Sequence, residues 1–248
     1  MNPAAARVLV VTPTYNERDN LPVLVEQVLD RGPNYSILVV DDASPDGTGA
    51  VADALVAANP GRVHVLHRTG KRGLGRSYVD ALSQAVTMDV DVVCQMDADF
   101  SHDPKYLPEL VGGVTDGGFD LVIGSRYLHG VSVVNWPLSR LILSTFANRY
   151  VRAITGLPAR DCTSGFRCWR REALARLPLR RFVSDGYAFL VEMLYAAMGL
   201  GCRIGEVPII YVERREGQSK MSRGVIFESV FVPWRLVARH PSWRGRRG

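Results

Sequence analysis

Along the first 125 residues, short apolar runs alternate with longer stretches whose apolar positions recur at helical spacing. The runs fall at 7–11, 36–40, 63–66, 90–96 and 119–123, and the helical stretches at 19–31, 47–58, 74–87 and 104–113. Runs that are apolar at nearly every position suit strands covered on both faces. Their alternation with helices predicts βαβ units around a mostly parallel sheet. Asp103-Pro104 adds a start signal, an N-cap acid followed by Pro at the first helical position. Further along, residues 135–154 read as an amphipathic helix with Leu138, Leu141, Ile142, Phe146, Tyr150 and Ile154 on one stripe. Arg140, Ser144 and Asn148 recur every four residues on another face, setting a cation beside a hydroxyl that could hold an anionic head group. From periodicity alone, an ordinary surface face reads equally well. Residues 225–239 combine Phe227, Phe231 and Trp234 with Arg235 and Arg239. Such a helix suits a membrane interface or a core, and Pro233 is expected to kink or break it.

Composition narrows the class. A chain of 248 residues, 47% hydrophobic, can bury one sizeable core and leaves little room for two independent domains. No stretch of 18 uncharged apolar residues occurs, so no transmembrane helix is readable, and the start carries no cleavage-type signal. The expected location is the cytoplasm. Four cysteines without a CxxC pair are read as reduced and structural. The net charge of +5 is uneven: residues 1–166 carry 14 Lys and Arg against 18 Asp and Glu, and residues 167–248 carry 16 against 7. Such a basic excess suits a solvated face, nucleic acid or an anionic membrane, and charge alone does not choose.

In open α/β sheets, ligands bind beyond the carboxyl ends of the strands. The predicted strands run into Thr12 to Glu17, Asp41 to Ser44, Asp97-Ala98-Asp99 and Gly124-Ser125-Arg126, so polar groups gather at one edge. Two carboxylates separated by one small residue can both approach one hard divalent cation such as Mg²⁺ or Mn²⁺. A cation there could bridge a diphosphate and offset charge on a departing group. Taken alone, Asp97 and Asp99 also suit an Asx-rich turn that merely ends a strand. Asp42 could accept hydrogen bonds from a nucleoside, with Tyr15 and Glu17 beside the base, although a polar turn explains the same residues. The loop Lys71 to Arg76 is basic and glycine-containing but lacks phosphate-loop spacing.

The segments Val11 to Glu17, Val40 to Gly47 and Asp97 to His102 resemble family 2 glycosyltransferases of the GT-A fold. Ile123 to Tyr127, Asp161 to Arg167, Gly205 to Ile209, and Arg214 with Gly217-Gln218-Ser219-Lys220 narrow the resemblance to dolichol- or polyprenol-phosphate mannosyltransferases. The match spans roughly residues 7–230, with the motifs in order. It implies an α/β fold: a Rossmann-like, mostly parallel central sheet with flanking helices, a small antiparallel C-terminal portion and amphipathic interface helices. It also implies a disordered stretch at 1–6, one catalytic domain over 7–240 and a basic tail at 241–248. Within the domain, 7–130 would bind the nucleotide sugar and 131–240 would face acceptor and membrane.

The implied reaction takes mannose from GDP-mannose to a polyprenyl monophosphate with inversion. Carried over by position, Pro13, Tyr15, Glu17, Val40 and Asp42 would line the guanosine pocket. Asp97, Ala98 and Asp99 would hold the diphosphate and the metal, with Asp99 the direct ligand. Arg126, Arg214 and Lys220 would meet phosphates, and Arg126, Arg140 and Ser144 would bind the acceptor phosphate. Some relatives place Gln at the position of Ser101, where it can reach the metal; Ser101 is shorter, so water could complete the coordination. A lipid phosphate is already anionic, its second pKa being about 6, so no general base is required. Asp185, just before the helical stretch 187–197, would be the base candidate in a hydroxyl-glycosylating relative and is read here as an N-cap or an acceptor-side neighbour. The expected setting is peripheral, on the cytoplasmic face of an anionic membrane, with room for a membrane anchor protein and no nucleic-acid partner. Rival readings are a transferase for glucose or another sugar, a hydroxyl acceptor, or a non-catalytic basic adaptor.

Overall fold

The structure is a computed structural model that describes residues 6–70, 73–182, 184, 186–213 and 223–244. The first 125 residues form β1 (Val8–Thr14), α1 (Leu21–Leu29), β2 (Tyr35–Asp41), α2 (Thr48–Ala58), β3 (Val63–His67), α3 (Leu74–Ala85), β4 (Val92–Gln95), α4 (Leu107–Thr115) and β5 (Leu121–Ser125). These follow the hydrophobic pattern element for element. Asp103 accepts a hydrogen bond from the Lys105 backbone N–H (2.9 Å) and opens a 3₁₀ turn leading into α4. The second half adds β6 (Val133–Val134), α5 (Leu138–Thr155), β7 (Arg167–Arg170), α6 (Arg171–Ala175), α7 (Gly186–Gly199), β8 (Ile204–Pro208), β9 (Tyr211–Val212) and α8 (Arg223–Arg239).

Seven strands form one sheet in the order β3-β2-β1-β4-β7-β5-β8. All neighbours run parallel except β7, which lies antiparallel between β4 and β5. The antiparallel component is therefore one strand inside the sheet. The small accessory pair β6–β9 runs parallel, correcting the expected antiparallel C-terminal portion. Because β7 sits between two strands of the first half, the two expected halves share one sheet.

Side chains of β1 alternate between two cores, Leu9 and Val11 on one face and Val8 and Val10 on the other. Covering both faces is why the strand runs are continuously apolar. The Arg167 guanidinium is buried and donates to the carbonyls of Ser164 (2.9 Å), Leu190 (2.7 Å) and Cys162 (3.0 Å). One side chain thereby ties β7 to the preceding loop and to α7. The four cysteines are free and buried.

Ordered packing begins before residue 7: Ala6 is buried and its carbonyl accepts from Asn34 Nδ2 (2.7 Å), while residues 1–5 lie outside the described residues. The tail starts later than expected, since Pro241–Trp243 forms a 3₁₀ turn and Trp243 stacks on His240. The predicted helix at 135–154 begins at Leu138, because the residue before Pro137 is driven out of the helical region. α8 continues through Pro233 without a break. Beside that proline, Tyr150 Oη donates to the Val230 carbonyl (2.8 Å) and accepts from Trp234 Nε1 (2.8 Å), joining α5 to α8. Among the described residues no helix is long and apolar enough to cross a membrane.

Candidate active site

Three turns after strand ends carry non-glycine residues in the left-handed region: Asn16 (φ 61°), Ala43 (φ 53°) and Phe100 (φ 59°). Each follows β1, β2 or β4, and such conformations cost on the order of 1 kcal/mol or more apiece. A fourth such residue, Asn135 (φ 63°), lies beside β6, and the cluster of three at one sheet edge makes that edge the candidate site.

The turn after β4 is built around its two acids. Ser101 is buried and donates to Asp99 Oδ1 from its hydroxyl (2.6 Å) and its backbone N–H (3.1 Å). Ser101 therefore orients Asp99. Tyr78, on α3, donates its hydroxyl to Asp97 Oδ1 (3.3 Å). Burial and the Asp97 charge push the Tyr78 phenol upward, so it remains a donor. The Asp97 backbone N–H donates to His102 Nδ1 (3.1 Å), which sets the imidazole proton on Nε2. Burial lowers the His102 pKa and holds the ring neutral, stacked on Phe166 at 5.0 Å. The Asp97 side chain is 34% exposed, so its carboxylate faces solvent from a fixed position.

Among the described residues no group of three or more His, Cys, Asp or Glu could enclose a metal ion. Two oriented carboxylates nevertheless fit a hard cation that arrives with phosphate and water oxygens, as Mg²⁺ and Mn²⁺ do at nucleotide sites.

The nucleoside edge differs in detail from expectation. Pro13 and Tyr15 are half-buried, and Glu17 Oε2 accepts from Asn20 Nδ2 (2.7 Å). Both Asp42 oxygens have protein partners, Arg68 Nη1 on one and Ser77 Oγ (2.7 Å) on the other. Arg68 Nε in turn donates to Asp80 (2.9 Å). The side chains of Val40 and Ala98 are buried in the two cores, so each would meet a nucleotide through its backbone. β2 is covered on both faces, which is why Val40 turns inward. Arg214, Lys220, Asp185, Lys71 and Arg72 lie outside the described residues.

A cavity of about 180 Å³ opens between α5 and α8. Arg126, Trp136, Arg140, Ser144 and Thr163 are among its lining residues, and most of its surface is apolar, from side chains such as Leu143, Phe146, Val151, Val191 and Val230. Arg126 is buried and makes a two-point ion pair with Asp161 (2.7 and 2.7 Å), with a further bond to Thr163 Oγ1 (2.9 Å). Burial disfavours both charges, but each outweighs that penalty for the other: Asp161 lies below the ordinary carboxylate value and Arg126 above its own. Arg140 pairs with Glu213 and lies over the Trp136 ring (4.4 Å). Ser144 Oγ accepts from Tyr127 Oη (2.8 Å). Asn148 is buried and accepts the Cys162 backbone N–H (2.7 Å), so it holds a loop and stands apart from the cavity wall.

Tyr211 connects the acidic turn to Arg126 of the cavity lining. Tyr211 packs edge-on to His102 (5.8 Å) and lies 5.5 Å from the Arg126 guanidinium. The expected apolar stripe of α5 divides: Leu138 (70% exposed), Ile142 (60%) and Phe146 (65%) face outward, whereas Ile154 is buried. Phe231 and Trp234 of α8 are exposed as well.

Residues 9–177 match the family described as glycosyl transferase family 2. The chain belongs to that family. As a family 2 glycosyltransferase it is 46% identical over 241 residues to a polyprenol monophosphomannose synthase of Mycolicibacterium smegmatis, covering 96% of this chain and 91% of the relative. It is 46% identical over 244 residues to an undecaprenyl-phosphate mannosyltransferase of Micrococcus luteus, covering 98% and 99% respectively. In fold it is similar to glucosyl-3-phosphoglycerate synthase from Mycobacterium tuberculosis, crystallised with Mn²⁺, UDP and glucosyl-3-phosphoglycerate. That similarity has a TM-score of 0.64 at 21% identity over 99% of this chain and 82% of the other. The fold is GT-A.

Several residues at this glycosyltransferase site carry no sequence signal of their own. Tyr78 reads as one more apolar position on α3, and Glu213 as one more surface acid. Arg68 and Ser77 become partners of Asp42 only through packing of β3 and α3.

Proposed function

We propose that the protein transfers mannose from GDP-mannose to a polyprenyl monophosphate, producing polyprenyl-phosphate mannose and GDP with inversion at the anomeric carbon. The observation that carries this reading is the cavity connected through Tyr211 to the acidic turn, whose lining combines two arginines and hydroxyl groups with a larger apolar surface. A phosphate on a hydrocarbon chain matches both kinds of lining, whereas a soluble sugar acceptor would leave the apolar surface unused. The names of the two bacterial relatives support the mannosyl and polyprenyl assignments.

Pro13, Tyr15, Glu17 and Asp42 would border the guanosine, with Arg214 and Lys220 on the diphosphate by sequence position. Asp97 and Asp99 are the residues that would hold Mg²⁺ or Mn²⁺, whose contribution is to offset negative charge on the departing GDP. The Mn²⁺ and Mg²⁺ in crystals of glucosyl-3-phosphoglycerate synthase support that class of ion. Ser101 and Tyr78 hold the two carboxylates in place.

In the reaction, a lipid phosphate oxygen bonds to the anomeric carbon as the bond to the diphosphate breaks, and the electron pair leaves with GDP. No proton must be taken from the acceptor, because a phosphate monoester is largely dianionic above its second pKa of about 6. The work of the chain is positioning and charge placement: Arg126, Arg140 and Ser144 would hold the attacking phosphate, set apart from the groups on the leaving diphosphate. The exposed apolar residues of α5 and α8, beside exposed Arg149, Arg152 and Arg235, support a peripheral position on an anionic membrane at its cytoplasmic face. A membrane anchor protein is compatible with that placement.

The test is incubation with Mg²⁺ and polyprenyl phosphate, with GDP-mannose and UDP-glucose supplied in parallel. A hexosyl polyprenyl phosphate, identified by mass, is expected from GDP-mannose. Product from UDP-glucose alone, or sugar found only on a hydroxyl acceptor, overturns the reading.

A further inference from the structure

Two arginines line the cavity, and each is matched by a carboxylate that does not line it. The two pairs are built differently. Asp161 is wholly buried and engages Arg126 at two side-chain points and at its backbone N–H (3.1 Å). Its own position is fixed by Glu206, which accepts the backbone N–H groups of Arg160 (2.8 Å) and Asp161 (3.0 Å). Nothing short of unfolding that loop would separate this pair.

Glu213 meets Arg140 through one oxygen, and the two side chains are 25% and 21% exposed. Its second oxygen, Oε2, is buried without a hydrogen-bond partner among the described residues. Glu213 thus holds its guanidinium at one point, where Asp161 holds Arg126 at two, and two-point pairs are the stronger and more closely fixed kind. A phosphate offers the same guanidinium three strong acceptor oxygens and up to twice the charge.

We propose that Glu213 is an internal competitor for the acceptor phosphate, holding Arg140 until a phosphate takes its place and thereby keeping free phosphate out of the cavity. This inference rests on the acceptor reading of the cavity given above. Any phosphate entering must draw Arg140 from Glu213 or sit beside an uncompensated carboxylate, and both oppose binding. That cost is the same for inorganic phosphate as for a lipid phosphate. Only the lipid gains apolar burial along Leu143, Phe146, Val151 and Val191 to offset it. Discrimination between the two comes from that apolar burial, while Glu213 sets the threshold: it lowers the affinity for both, so free phosphate, with no apolar gain, leaves the cavity empty and the lipid still binds.

The experiment compares wild type with Glu213→Gln, Glu213→Ala and Arg140→Gln in the full chain. Inhibition of transfer by inorganic phosphate and calorimetric binding of a short-chain prenyl phosphate are both measured. Removing the Glu213 charge should tighten binding of both probes about ten-fold, the size expected for one partly screened charge interaction. Glu213→Ala provides the same test without relying on the amide. Thermal melting of each variant is recorded alongside, so that a folding defect is told apart from a change in binding. Arg140→Gln should weaken both probes. If neutralising Glu213 leaves binding unchanged or weakens it, Glu213 only positions Arg140 and the proposal falls. If Arg140→Gln leaves prenyl phosphate binding unchanged, the acceptor reading itself falls.

Discussion

The acidic turns and the cavity hold their charged groups in contrasting ways. On the strand-end side, three carboxylates are held by near neighbours, Asp99 by Ser101 and Asp46 by Thr48, each two residues on, and Asp41 by Ser44, three residues on, although Asp97 and Asp42 also take partners from α3 and from the end of β3. On the cavity side, Arg126 meets Asp161 35 residues away, and Arg140 meets Glu213 73 residues away. Local bonds let a turn set its own geometry as soon as its strand is in place. Long-range pairs exist only once the whole fold has assembled. The difference teaches that the donor side should lose chemistry without losing stability, whereas one cavity pair should couple the two.

The largest expected effect is on the donor side. Asp99→Ala should reduce transfer on the order of a thousand-fold, comparable to removing a principal charge-stabilising group, with the melting curve unchanged. Retained activity, read as glycolipid by mass, would remove Asp99 from the account. On the cavity side, Asp161→Ala leaves a buried guanidinium without its counter-charge. It should cost about 3–5 kcal/mol of stability by denaturant unfolding; a cost below 1 kcal/mol would erase the contrast between the two sides. A smaller effect is expected where the cavity meets the surface. Ile142→Ser with Phe146→Ser should leave stability within about 0.5 kcal/mol yet weaken sedimentation with anionic vesicles by roughly ten-fold or more. Equal vesicle binding by both proteins would place the membrane face elsewhere. Smallest is Ser101→Ala, which loosens Asp99 without removing it. A five- to ten-fold loss of transfer, about the worth of one hydrogen bond to a charged group, partly restored by raised metal concentration, is the expected signature.

The same contrast explains what could be read in advance. The strands and helices of residues 1–125 were legible because burial on both faces leaves a continuous apolar run and covering helices leave a 3.6-residue period. Asp97 and Asp99 were legible because strand-end chemistry is local. β7 was not, since Arg167–Arg170 is four residues long with a buried arginine at its start, and that charge breaks the apolar pattern. Val40 and Ala98 stood in the right motifs, yet their side chains turn into the core. Asp42 was read as open to a nucleoside, but its partners Arg68 and Ser77 lie 26 and 35 residues away. The α5 stripe showed its period but not which part is covered, because that depends on α8 and on the loop before β7.

The most direct measurement is anomalous diffraction from crystals grown with Mn²⁺, GDP and a short-chain prenyl phosphate. The account predicts manganese between the diphosphate and the carboxylates of Asp97 and Asp99, with the lipid phosphorus beside Arg126 and Arg140 in the cavity. Manganese bound away from those two acids, or prenyl phosphate seated outside that cavity, would contradict it.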